Sequence, residues 1–162
     1  MAKEDKNGLA ELKIQYKKLQ EKYNLPSFES MNVEFSIEKI SDIETELLTK
    51  EIRRFIADKV FNYLRFIETI LNPANAPMFI FSVIKSLSQE DKKSLNETYE
   101  KLSGLDLELV KLDLESSEKK DAEFIKHAHE FWQSIKSELI PIFGKLKSSS
   151  HKDEVSSGKY FG

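Results

Sequence analysis

SDIETELLTKEIRRFIADKVFNYLRFIETILNP, residues 41–73, carries one helical pattern from end to end. Projected at 100° per residue, Leu48, Ile52, Phe55, Ile56, Val60, Tyr63, Leu64, Phe66, Ile67, Ile70 and Leu71 fill an arc of roughly 180°, wider than the ~100° stripe of a helix that rests on one neighbour. A helix this apolar needs partners on two sides, so the spacing predicts a bundle organised around it. Ser41 and Glu44 match the S-x-x-E capping box, in which the serine accepts from a free backbone amide and the glutamate reaches back. Pro73 cannot continue a helix and disfavours helical backbone at the residue before it. The two signals bracket a central rod over about 42–72, ~45 Å long at ~1.5 Å per residue.

Opposite the arc stand Lys50, Glu51, Arg54, Asp58, Asn62, Arg65 and Thr69, whose spacing suits a solvated face with modest intrahelical ion pairs. Two residues break the pattern. Lys59 falls inside the arc; the plain reading is a snorkelling stem, the functional one a tuned amine. Phe61 falls among Arg54, Asp58 and Arg65, where either the N-terminal part of the chain covers it or a partner does.

Upstream, Leu9, Leu12, Tyr16, Leu19 and Tyr23 recur three and four apart, which makes one stripe on a helix ended by Asn24 and Pro26. Two heptads are too few for a coiled coil, so this helix is expected to brace the domain. Residues 26–40 fit neither helical nor alternating spacing throughout and read as a helical turn followed by an extended connector, with Phe28, Met31, Val33, Phe35, Ile37 and Ile40 expected to pin it to the core. Residues 1–8, charged and polar, are expected to be disordered.

Downstream, Pro77 suits a first helical turn, and MFIFSVIKSL, residues 78–87, is apolar nearly all round, so it is expected to be the most buried helix. Ser88 caps the next helix, whose stripe is Leu95, Tyr99 and Leu102. Residues 105–114, LDLELVKLDL, alternate as a strand would, yet Leu105, Leu109 and Leu112 also continue the helical stripe. Helix is preferred, because Leu and Glu are good helix formers and β-branched residues are almost absent. A last helix from Ser116 and Ser117 buries Ala122, Ile125, Ala128, Trp132, Ile135 and Leu139, with Pro141 expected to kink or restart it. Residues 147–162, rich in Ser, Lys and Gly, read as a flexible tail, and Tyr160 and Phe161 near its end are candidate partner contacts. The domain proper is 9–146.

The 162 residues include no cysteine, which removes thiolate nucleophiles, cysteine-held metals and disulfide scaffolds. The first residues show no apolar export signal, and the longest apolar run is far shorter than the ~20 residues of a membrane span. A cytoplasmic location is therefore expected, with no membrane span. Net charge is −3, from 25 basic and 28 acidic residues interleaved along the chain. Only Arg53, Arg54 and Arg65 are arginines, so forked donors for phosphate or base edges are scarce.

HEFWQ, residues 129–133, approaches the zinc-protease signature H-E-x-x-H, but Gln133 stands where the second ligand belongs. His127 and His129, two apart on a helix, point roughly 200° from one another and cannot share a metal there. They read as flank residues, and replacing His129 should be close to neutral. The Glu-x-x-His pairs of di-iron bundles are missing too, since Phe124 and Lys126 precede the histidines by three. No G-x-S-x-G elbow, G-x-G turn or phosphate loop occurs among the five glycines. Were the chain an enzyme, Lys59, Glu123, His127 and Glu130 would be the groups to inspect.

The expected architecture is thus an all-α, antiparallel bundle of about five helices around the 42–72 rod. No catalytic residue, cofactor or metal site is expected. The expected function is a non-enzymatic protein-binding module whose partner meets Phe61 or the Tyr160 and Phe161 tail. The alternative is a nucleic-acid-associated protein using the lysine-bearing helix face of Lys13, Lys17, Lys18 and Lys22.

Overall fold

Serine and threonine hydroxyls and two left-handed residues punctuate this chain into helices. The computed structural model describes the backbone of residues 4–157 and the side chains of residues 8–146. Within them the order is α1 (Glu4–Tyr23), α2 (Phe28–Phe35), a 3-10 turn (Ile37–Asp42), α3 (Leu48–Leu71), a second 3-10 turn (Pro73–Asn75), α4 (Met78–Lys85), α5 (Gln89–Leu114) and α6 (Glu118–Ser157). The chain is an all-α bundle, with no strand among the described residues.

α1 presents its stripe as expected, with Leu12 and Tyr16 buried. It ends where Asn24 turns left-handed at φ 54°, a conformation asparagine tolerates better than most residues. The Tyr16 hydroxyl donates to the Pro26 carbonyl at 2.7 Å, and its ring meets Phe28 edge-on at 5.5 Å. Burial first, then the Glu29 carboxylate, pushes the Tyr16 hydroxyl pKa up. Ser27 caps α2 by accepting from the Ser30 amide at 3.1 Å. Ser36, at φ 55°, closes that helix by donating its amide to the Asn32 carbonyl at 2.8 Å.

The capping box expected at Ser41 and Glu44 does not form. Ile37 and Ile40 are both buried, and their three-residue spacing puts them on one side of a 3-10 turn that takes up Ser41 and Asp42. The long helix α3 starts instead at Leu48, where Thr45 accepts from the Leu47 amide at 3.1 Å. Its 24 residues make a rod of ~36 Å. A capping box does form at the start of α5: Ser88 Oγ accepts from the Asp91 amide and Asp91 Oδ2 accepts from the Ser88 amide, each at 3.0 Å.

The helices gather into two compact units. The first takes the chain up to Phe61 together with Leu105–Phe131: α1, α2, the first part of α3, the end of α5 and the start of α6. Tyr16, Met31, Ile37, Ile52, Phe124 and Ile125 are among its largest fully enclosed apolar side chains. The second takes Asn62–Gly104 and the chain from Trp132 onward: the end of α3, α4, the start of α5 and the rest of α6. Tyr63 meets Trp132 edge-on at 4.9 Å and stacks on Phe143 at 6.3 Å, while Phe66 meets Phe143 edge-on at 5.4 Å.

Residues 105–114 are helical, with Leu105, Leu109 and Leu112 buried in helical rather than alternating register. α6 runs through Pro141 without interruption. Ser137, whose carbonyl loses its amide partner there, and Pro141 itself are both exposed, so water can serve that carbonyl. α4 departs furthest from expectation: only Ile80 of it is buried, while Met78 is 87% and Phe79 66% exposed. Two turns can lay only one face on a core, and an all-apolar sequence does not encode which.

Two outcomes check this architecture. Gly104 sits inside α5, and a Cβ there would meet nothing within 4 Å. Gly104→Ala should therefore raise stability by ~0.5–1 kcal/mol in urea unfolding. Separately, the hydrogen bond from Lys145 at 2.7 Å and those with Ser88 lower the Asp91 pKa from 3.8 to about 2. A lowered carboxylate contributes stability that is present above 3.8 and lost as pH falls toward about 2. The stability gap between wild type and Asp91→Asn should be constant above that window and close within it.

Candidate functional site

Two histidines of α6, His127 and His129, are held by different helices. His129 Nε2 lies 2.7 Å from Ser30 Oγ of α2, and His127 Nδ1 lies 3.3 Å from Glu108 Oε2 of α5. Their divergence follows from the two-residue offset. Among the described residues no cluster of three His, Asp or Glu side chains could hold a metal ion. His129 is half-buried and bonded between helices, so its replacement removes a real contact, unlike the neutral change the spacing suggested. Ser30, which the sequence did not single out, is the cause.

Glu123, His127 and Glu130 line one open groove of about 640 Å3 with Asn24, Leu25 and Pro26. Glu123 is 60% exposed and reaches Lys119 at 4.0 Å, an ordinary i,i+4 surface pair. Nothing in the groove pairs a nucleophile with an oriented base and an oxyanion donor. Lys59, the lysine inside the apolar arc, donates to the Glu34 carbonyl near the C-terminal end of α2, with the Phe35 ring 5.7 Å away. A cation belongs at that end of a helix, where carbonyls lack amide partners.

The apolar arc of α3 also holds a buried arginine. At 100° per residue Arg53 projects between Val60 and Leu64, inside the same arc as Lys59. Its side chain is 4% exposed. Nε lies 3.0 Å from Asp121 Oδ1, itself 3% exposed, and an NH1 amine donates to Asp113 Oδ1 at 2.7 Å. Ser116 Oγ donates to the other Asp121 oxygen at 3.1 Å. This cluster sets one guanidinium against two carboxylates, with Arg53 Nε and Asp121 Oδ1 at ion-pair distance but not hydrogen-bonded, and it joins α3, α5 and α6 within the first unit.

Of the lysine face on α1, Lys22 is bound to Glu118 at 2.6 Å, and Tyr23 donates to the same carboxylate oxygen at 2.6 Å. Lys13 stands 5.3 Å from the Phe28 ring. Lys17 and Lys18 are exposed.

Several large apolar side chains are exposed in the second unit. On α4, Met78, Phe79 and Phe81 are 87%, 66% and 42% exposed. The same unit has a groove of about 370 Å3 lined by Asn62, Tyr63, Phe66, Phe143 and Leu146. Phe61, singled out by its place on the polar face of α3, is 51% exposed. Tyr160 and Phe161 lie outside the described residues. No described helix is long and apolar enough to cross a membrane.

The ion cluster can be tested directly. Arg53→Ala leaves Asp121 buried without its partner and should cost ~3–5 kcal/mol in chemical denaturation. Replacing Arg53 and Asp121 together by apolar residues of similar volume should recover most of that loss.

Compared with models of known protein families, with curated proteins and with solved structures, the chain matches none.

Proposed function

We propose that this chain is a non-enzymatic, cytoplasmic protein-binding module, and that α4 is its principal contact surface. The observation that carries the proposal is the exposure of Met78, Phe79 and Phe81 on a helix anchored through Ile80. Solvated surfaces rarely group large aromatic and methionine side chains in this way, and interface cores are enriched in them. Methionine adapts its shape to a partner, and each phenylalanine brings a large contact area at the cost of two side-chain torsions. The partner this surface fits is a protein offering a complementary apolar patch. Phe61 is a secondary contact.

The groups that would carry catalysis have structural duties instead: Lys59 on a helix end, His129 on Ser30 and His127 beside Glu108. That supports the non-enzymatic reading, as the cysteine-free composition supports a cytoplasmic one.

The test is affinity purification from the source cell with wild type and with Phe79→Asp. Phe79 is exposed, so the substitution should leave stability within ~0.5 kcal/mol. A stoichiometric protein partner captured by wild type and lost by the variant is the expected result. Retention of that partner by Phe79→Asp would remove α4 from the interface. Capture of nucleic acid instead, with affinity falling steeply as salt rises, would point to the lysines of α1.

A further inference from the structure

We infer that the C-terminal part of α5 is a self-association surface, on which a second copy of this chain packs in parallel. The inference rests on the first unit alone and stands apart from the role of α4. Leu107, Val110 and Leu114 are 70%, 54% and 84% exposed. Their spacing of three and four residues is the spacing of a coiled-coil seam, and at 100° per residue they fall within roughly 60° of one another. Leu105, Leu109 and Leu112 occupy the opposite face of the same helix and are buried. α5 is therefore apolar on both sides, and among the described residues only one side is covered.

The charges beside the stripe choose the occupant. Asp106 flanks one edge and Lys111 the other, each about 40° outside the apolar residues. Asp113, on the acidic edge with Asp106, already holds Arg53 at 2.7 Å. On the basic side Lys111 is close enough to Glu115 to help lower its pKa, although Glu115 bonds chiefly to Lys120, at 3.1 Å.

A stripe bordered by Asp106 on one side and Lys111 on the other complements itself in one orientation. When two copies pack in parallel about a two-fold axis, the acidic edge of each faces the basic edge of the other, and Asp106 meets Lys111 twice. Packed antiparallel, acid would face acid and lysine would face lysine, which is unfavourable. A second copy thus satisfies both the stripe and its rims. Three side chains per copy make a small seam, so the association is weak and concentration-dependent.

Sedimentation equilibrium over a series of loadings reads the dimer. Wild type should show a weight-average mass that rises with concentration. Lys111→Asp should weaken association by about tenfold or more, and Asp106→Lys combined with Lys111→Asp should restore it. Orientation is read by cross-linking, since the chain has no cysteine of its own and any introduced thiol stands alone. In a parallel pair like positions face one another, so Leu114→Cys should form a disulfide dimer with itself under mild oxidation. All the substituted residues lie outside the buried core, and circular dichroism verifies that each variant keeps its helix content. A monomer at every loading would overturn the inference. So would a cross-link formed only between Leu107→Cys and Leu114→Cys chains, because that is the antiparallel pairing.

Discussion

The guanidinium of Arg53 is where three helices of the first unit are made to agree. Asp121 on α6 and Asp113 on α5 approach it from two directions, and Ser116 fixes the second oxygen of Asp121. Burying an arginine and an aspartate is costly in itself, and the attraction between them does little more than offset the desolvation. Their effect is on geometry. With both side chains almost fully enclosed, a register in which α6 slides by one turn would strand a charge in the core. Apolar packing alone penalises such a slip far less, because leucine and isoleucine fit many neighbours.

The polar groups that could suggest chemistry are spent on similar work. Ser30 and His129 join α2 to α6, Lys59 serves the end of α2, and Thr98 donates to Glu138 at 3.1 Å beside the Lys101 to Glu138 ion pair in the second unit. Among the large apolar side chains left exposed are Met78, Phe79 and Phe81 on α4, and Leu107, Val110 and Leu114 on α5. The two sets lie in different units and differ in kind. The α4 set is aromatic and irregular, suited to a partner of another shape, whereas the α5 set is aliphatic and periodic, suited to a helix like itself.

Local competition explains the main departures from the sequence reading. Ser41 and Glu44 have the residue types of a capping box, but Ile37–Asp42 tightens into a 3-10 turn with Ile37 and Ile40 buried, which removes Ser41 from any cap. Ser88 and Asp91 face no such competitor and form the box. α6 continues through Pro141 rather than restarting there, and the carbonyl that the proline orphans is on an exposed side. Arg53 lay within the apolar arc of α3 all along, and only its charge argued against placing it in the core.

The sequence by itself determined the all-α class, the stripes of α1, α3, α5 and α6, and the helical state of residues 105–114, because 3.6-residue periodicity and propensity act over a few turns and need no distant partner. It also determined that no cysteine chemistry, glycine-rich phosphate loop or complete zinc signature is present, since those depend on residue identity and spacing. Only the tertiary structure decided which carboxylates answer Arg53, that Ser30 meets His129, and which side of α4 is covered. Each of those depends on residues tens of positions apart meeting at hydrogen-bond or van der Waals distance, and local periodicity does not carry that information. The exposed face of α5 belongs to both accounts: its spacing is written in the sequence, but an apolar stripe reads as core until the fold shows that the opposite stripe already fills it.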